Sequence, residues 1–325
     1  MNQKINPYML GATMYMPATR LDIVTKLVGQ EIKDLSSVVI CLEDAVSEHE
    51  VEFALNNLKK ITAELAEAKR CGKKLPLIFI RPRHLEMAEQ IVRDYDLSAI
   101  NGVVIPKFTL ADLESWWGAL RNTHLLWMPT LETRDVFSVN DMEALAKVLD
   151  THGCKDKILA LRIGGNDLMN CISLRRPRDM TLYDGPMGYV IKMLVAVMSP
   201  YGFAMTAPVC EHIDNHEILE KEWALDMAHG LVGKTAIHPN QIQMIQQPMM
   251  VSKSDYQDAL HILNSEKAVF KSNGAMCEPA THKNWAKSIL ARSNQFGISS
   301  PVNHDVVQFA GNEVSAKVLE MAVSK

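Results

Sequence analysis

Charged side chains recur in this chain at one kind of place, directly after a short apolar run. Leu125-Leu-Trp-Met-Pro-Thr-Leu-Glu132 and Leu161-Arg-Ile-Gly-Gly-Asn-Asp167 both close on a carboxylate. Two acids at the ends of successive strands could hold one hard divalent cation, and oxygen-only ligation favours Mg²⁺, or Mn²⁺, over zinc. Glu132 and Asp167 are therefore the candidate metal ligands. Ser37–Leu42 closes on Glu43-Asp44, Leu77–Ile80 on Arg81, and Gly102–Pro106 on Lys107. Four carboxylates then face two cations. A divalent ion would resolve the repulsion among the acids, and Arg81 could fork bidentately onto a substrate carboxylate. Glu43 and Asp44 join Arg81 as the catalytic set, orienting water beside the ion.

Lys107 and the pair Gly164-Gly165 are expected to contact substrate. Glycines at a helix start let a ligand approach backbone N–H groups that attract anions. Plainer roles compete. A lone acid at a strand end more often caps the next helix, as Asp44 could near Val46. Lys107 could be a solvated or salt-bridged lysine, Arg81 could pair with Glu43 or Asp44, and paired glycines also serve tight turns. The two acids on adjacent strands, with Arg81 opposite, tilt the balance toward a metal site.

The elements that must position these residues alternate along the chain. Strands are expected at Ala12–Met16, Ser37–Leu42, Leu77–Arg81, Gly102–Pro106, His124–Leu131, Ile158–Ile163, Gly202–Ala207 and Gly230–Ile237. Several are Val/Ile-rich with few polar breaks, as strands buried on both faces are. Helical patterns at Glu48–Lys69, Ala111–Leu120, Val139–Asp150 and His216–Ala228 lie between them. Eight strand–helix units over about 240 residues predict an α/β fold, a TIM (β/α)8 barrel. A doubly wound sheet normally uses fewer strands. The barrel is assigned to residues 10–250 as the catalytic domain. Residues 251–325 form a C-terminal helical extension, with helices at Ser254–Lys271 and Pro279–Ser293, packing on the barrel or on a neighbouring subunit. The insert Cys171–Met187 reads as a loop over the mouth. Its Arg175, Arg176 and Arg178 are solvated or face an anionic ligand.

Composition narrows the function classes. A net charge of −4 over 325 residues gives no reason to expect nucleic acid. The six cysteines sit far apart with no Cys-x-x-Cys, so a zinc ribbon is not expected. No apolar run approaches the roughly 20 residues of a membrane span, and the first residues lack a signal-peptide core. These features predict a cytoplasmic protein acting on a small molecule.

Met14-Tyr-Met-Pro17, Cys41-Leu-Glu-Asp-Ala-Val46, Val104-Ile-Pro-Lys107, Thr130-Leu-Glu132, Gly164-Gly-Asn-Asp167, Gly233-Lys-Thr-Ala-Ile-His-Pro239 and Asn273-Gly-Ala-Met276 occur in that order. In this the chain resembles the HpcH/HpaI aldolase and citrate lyase β-subunit family. It is most similar to a citrate-lyase-like branch of TIM-barrel carbon–carbon bond lyases associated with tellurite-resistance clusters. The resemblance implies a Mg²⁺-dependent homotrimer or hexamer that makes or breaks a C–C bond beside a carbonyl, in a 2-oxo acid or an acyl-CoA. It maps the family's metal carboxylates onto Glu132 and Asp167, its substrate arginine onto Arg81, and its strand-two acids onto Glu43 and Asp44. Three positions depart from it. Gly11 replaces an arginine, Ala207 an acid, and Asn273 an aspartate that serves as acid/base in CoA-using members. An amide cannot shuttle a proton as a carboxylate does. The alternative is accordingly a catalytically altered barrel that binds a metal-chelated carboxylate or nucleotide as a sensor or scaffold.

Overall fold

The computed structural model describes residues 4–299. Its strands are β1 (Gly11–Pro17), β2 (Ser37–Cys41), β3 (Leu77–Arg81), β4 (Gly102–Ile105), β5 (Leu126–Leu131), β6 (Leu161–Ile163), β7 (Met205–Thr206) and β8 (Gly233–Ala236). They pair in parallel in the order β7-β6-β5-β4-β3-β2-β1-β8. Val232 N–H donates to Met205 O (2.9 Å) and Ala207 N–H to Gly233 O (2.7 Å), which brings β7 against β8 and completes the circle. Between the strands run α1 (Ile23–Val28), α2 (Val51–Arg70), α3 (Leu85–Asp94), α4 (Leu113–Leu120), α5 (Val139–Thr151), α6 (Gly165–Cys171), α7 (Pro186–Met198), α8 (His216–Ala228) and α9 (Asn240–Gln246). This is the expected TIM barrel.

Each expected strand run contains an observed strand, but the later ones are shorter. Ile158 contributes only a single bridge to Trp127, so β6 starts at Leu161. Gly202, at φ +85°, ends a helical turn instead of opening β7. The helices form for ordinary reasons. α2 buries Ala54, Leu58, Ile61 and Leu65, one stripe at spacings of three and four. Ser138 and Asn215 cap α5 and α8 through the N–H groups of Asp141 and Ile218.

Side-chain alternation divides the apolar residues in two. Val39, Phe79, Val104 and Met128 lie on successive strands and share a small inner cluster with Leu10, Leu159 and Ala160. The opposite faces of the strands join the helices in the larger cluster. Residues two or four places beyond the inner set therefore also point inward. Arg81, Glu43 and Glu132 occupy those places, so the barrel's own pleat aims them at its axis.

The described chain forms two compact units, one running to Met250 with Asn294–Phe296 added, the other comprising Val251–Ser293 and residues 297–299. The second unit holds β9 (Val251–Ser252), α10 (Lys253–Asn264), β10 (Phe270–Ser272), β11 (Ala275–Cys277), most of α11 (Pro279–Phe296) and β12 (Ile298–Ser299). Val251, Ala259, Ile262, Cys277, Ala286 and Ile289 make its core. The helix expected over Ser254–Lys271 stops at Asn264. Phe270–Ser272 instead pairs with Ala275–Cys277 in a hairpin. Its two-residue turn, Asn273-Gly274, has φ of +47° and +83°, the left-handed pair that such turns demand. Residues of the extension beyond 299 lie outside the described residues.

The insert between α6 and α7 is anchored from below, which corrects the reading of Arg176 as solvated or ligand-facing. Arg176 is buried. It pairs with Glu222 of α8 and with Glu211 (2.7 Å), and donates to Val209 O. Glu222 also accepts from Leu182 N–H and from Lys234 Nζ of β8, which reaches Asp226 at 2.6 Å as well. Tyr183 O–H donates to Asp226. Removing one partner from a buried ionic network strands the others in low dielectric. Lys234→Met is expected to cost about 3–5 kcal/mol of unfolding free energy in a urea titration; a change within experimental error would show that the network contributes nothing.

Candidate active site

The pleat delivers Glu43, Arg81 and Glu132 to one end of the barrel, and Asp167 arrives there on the first turn of α6. Lys107 gets there differently. It is the second residue past β4, and its φ of +48° turns the chain back over the mouth. Arg81 Nη2 lies 2.6 Å from Glu43, 3.0 Å from Glu132 Oε1 and 3.3 Å from Asp44. Lys107 Nζ sits 2.7 Å from Glu43, and its backbone N–H donates to Glu132 Oε1 at 2.8 Å. All six charged residues expected at the mouth are thus together, with Glu43 and Glu132 almost wholly buried. The ion pairs foreseen for Arg81 and Lys107 are present, and they place both cations among the acids. Asp44 caps no helix; it faces Arg81.

The electrostatics leave an excess of acid. Burial pushes the Glu132 carboxyl up to about 7 even though Arg81 and the Lys107 N–H oppose it, and the Asp167 charge adds to the rise. Burial, together with the neighbouring Glu43 carboxylate, lifts Asp44 to about 6. Burial acts on Glu43 too, but its bond with Asp44 and the charges of Arg81 and Lys107 outweigh it and hold that group below its ordinary value. Among the described residues no hydrogen bond falls on Glu132 Oε2, and none on the Asp167 carboxylate. These acids therefore suit a divalent ion. Their donors are oxygens, three of them without a hydrogen bond among the described residues, and four carboxylates against Arg81 and Lys107 leave negative charge that a cation would relieve. Among the described residues no three His, Cys, Asp or Glu side chains make a closed cage. An ion on Glu132 and Asp167 would leave its other positions to water and substrate.

Gly164 and Gly165 have a packing reason for being glycine. A Cβ on Gly164 would lie 2.3 Å from Glu132 Oε2 and 2.4 Å from Glu132 Cβ; on Gly165 it would lie 2.8 Å from Pro208. Gly164 makes room for the buried carboxylate. Beside the mouth opens a cleft of about 590 Å³ lined by Glu43, Lys107, Arg83, His84 and the first turns of α2. The departing positions are fixed by the backbone. Gly11 has φ +52°, and a Cβ there would meet Gln246 at 2.6 Å. Ala207 is buried where β7 meets β8. Asn273 fills the hairpin turn of the second unit and donates to Asp258 at 2.9 Å. Sequence reasoning missed the inward polar residues one layer deeper, Tyr15, Thr130, Arg162 and Thr206. Counting back by two from Glu132, or from Gly164, would have found Thr130 and Arg162.

A family model for carbon–carbon bond lyases of the TIM-barrel fold matches residues 4–298. Among solved structures, CitE of Mycobacterium tuberculosis with magnesium, acetoacetate and coenzyme A is 20% identical, with 87% of this chain and 98% of that one covered and a TM-score of 0.60. A citrate lyase of Burkholderia xenovorans LB400 is 15% identical over 93% and 95% of the two chains, with a TM-score of 0.70. The citrate lyase β subunit of M. tuberculosis with oxaloacetate and magnesium is 20% identical over 75% and 98%, at 0.53. At these identities the likeness speaks for the fold. No curated protein sequence matches the chain. Among the described residues no helix is long and apolar enough to cross a membrane.

Two outcomes follow from Glu132. Its folded value near 7 lies above the ordinary 4.5, so its contribution to stability is complete below about pH 4.5 and is lost as pH rises through 7. Glu132→Gln mimics the protonated form. In ion-free buffer it should match the parent near pH 4 and exceed it by about 2 kcal/mol at pH 8, read by urea unfolding at both values. Gly164→Ala should cost about 1–3 kcal/mol, because the added methyl strikes the root of the Glu132 side chain directly after β5; an unchanged melting temperature would contradict the contact.

Proposed function

The chain belongs to the TIM-barrel carbon–carbon bond lyase family, and from that premise we propose that it is a Mg²⁺-dependent lyase or aldolase acting on a 2-oxo acid or an acyl-CoA carboxylate. The observation that carries this reading is the surplus of acid at the mouth, four carboxylates against Arg81 and Lys107, with no hydrogen bond on Glu132 Oε2 or on the Asp167 carboxylate among the described residues. Glu132 and Asp167 would hold the ion, with Mn²⁺ as the nearest substitute. When bound, Mg²⁺ supplies Lewis-acid stabilisation for the enolate charge that develops as a C–C bond breaks.

The chain's own groups do the rest. Arg81 is fixed through Nη2 by Glu43 and Glu132, while its buried Nε has no partner. That edge is left to orient a substrate carboxylate. Lys107, tied to Glu43, closes the mouth on the β4 side and adds positive charge toward the ligand. Glu43 stays ionised and anchors both cations. Asp44, near pH 6 and partly open to solvent, is placed to take up or return a proton close to neutrality. The ligands of the similar solved structures, oxaloacetate and acetoacetate with magnesium, guide the choice of trial substrates. The family resemblance also carries the proposal of a homotrimer or hexamer. A sensor or scaffold remains the second reading, motivated by Asn273 in place of an acid.

Turnover of oxaloacetate-, malyl- or citramalyl-type substrates, assayed with and without Mg²⁺, tests the proposal. Glu132→Ala and Asp167→Ala should abolish metal-dependent turnover; full activity in either would sink the assignment. Asp44→Asn should lower kcat by about 100-fold or more and remove the acid limb of the pH profile near 6. Absence of turnover with Mg²⁺ bound would favour the sensor.

A further inference from the structure

One layer beneath the mouth the barrel holds a cation that the reading above does not use. Arg162 lies on β6 in register with Thr130 of β5 and Thr206 of β7. It is 2% exposed. It donates to Thr235 Oγ1 and, at 4.0 Å, to the thioether of Met128, and its guanidinium stands 5.3 Å from the centre of the Tyr15 ring. None of these is an anion. The other buried cations among the described residues, Arg81, Arg176 and Lys234, each touch a carboxylate. Arg162 touches none among the described residues.

Its two flanking residues are also incomplete. The hydroxyls of Thr130 and Thr206 are buried, and neither has a hydrogen-bond partner. A buried guanidinium without a counter-charge, between two unmatched hydroxyls, is costly to keep for structure alone. An apolar side chain of similar length would pack there at less cost. Water could satisfy the hydroxyls but not the charge. An oxyanion satisfies all three, since guanidinium and both hydroxyls are donors.

The position fixes the ligand's geometry. Glu132, the residue directly after β5, is the next inward one after Thr130, so the two layers are about 7 Å apart. We propose that Arg162, Thr130 and Thr206 form a carboxylate seat, and that the substrate is a short dicarboxylic 2-oxo acid reaching from the mouth into the barrel. One end lies at Glu132 and Asp167, and the far carboxylate lies on Arg162. The placement of the first end rests on the lyase reading; the seat itself rests on Arg162 and its neighbours.

Calorimetric titration of the full chain with Mg²⁺, then with oxaloacetate and with pyruvate in the presence of Mg²⁺, separates these elements. In Arg162→Met, Mg²⁺ and pyruvate should bind as in the parent, while oxaloacetate weakens about 10- to 100-fold. Thr206→Val should weaken oxaloacetate up to about tenfold and leave pyruvate unchanged. Ligand-free Arg162→Met should melt no lower than the parent, because an unpaired buried charge has been removed. The proposal is overturned if oxaloacetate binds both variants as it binds the parent, if pyruvate weakens equally, or if the parent prefers pyruvate. A lower melting temperature with unaltered oxaloacetate affinity would assign Arg162 to structure. Should the parent bind no Mg²⁺, the lyase reading falls, yet oxaloacetate titrated without metal still reports on the seat by the same criteria. Should Arg162→Met fail to fold, Thr206→Val decides.

Discussion

One guanidinium nitrogen organises the mouth of this barrel. Arg81 Nη2 lies within 3.3 Å of three carboxylates from two other strands. It is the counter-charge that lets Glu43 and Glu132 be buried at all. Isolated carboxylates would neutralise rather than ionise at that depth. Arg81 is not sufficient, however. Glu132 still sits near 7 and Asp44 near 6. Four carboxylates still face only Arg81 and Lys107, an imbalance that a further cation would relieve.

That imbalance sets stability against function. The free protein would be more comfortable with fewer acids at the mouth, and with an apolar residue in place of Arg162. Sites kept under such strain tend to be those that complete themselves with a ligand. The second charged network has the opposite character. Arg176, Lys234, Glu222 and Asp226 are matched among themselves, with Tyr183 and Leu182 adding donors. It asks for nothing from outside, and its work is to pin the insert to α8.

Much of this was legible in the amino-acid order. Short apolar runs, several of them rich in Val and Ile, announced all eight strands, because a strand buried on both faces has little freedom in composition. The charged residues after those runs announced the mouth, because a parallel barrel puts every strand's last residues at one end. Arg162 and the threonines were harder to see. They lie inside strands, where a polar residue reads as an interruption until the inward parity is known. Arg176 was misread because a basic cluster in a proline-containing insert looks solvated; its partners Glu211 and Glu222 lie 35 and 46 residues away. The hairpin of the second unit begins in the last two residues of the expected helix and continues through the segment after it. Only the Asn273-Gly274 pair, a two-residue turn sequence, marks it.

The barrel's strands are unequal. β1 spans seven residues, β6 three and β7 two. A strand of two residues offers few main-chain bonds to either neighbour, so the circle is weakest where β7 joins β6 and β8. The matched ionic network sits beside this seam, linking β8 to α8 and to the insert. Closure there is thus shared between peptide groups and side-chain charges. Amide hydrogens of β7 should be among the first in the barrel to exchange with solvent, through a local breathing of the seam that leaves the β1–β5 arc, where the acids of Glu43 and Glu132 are rooted, undisturbed.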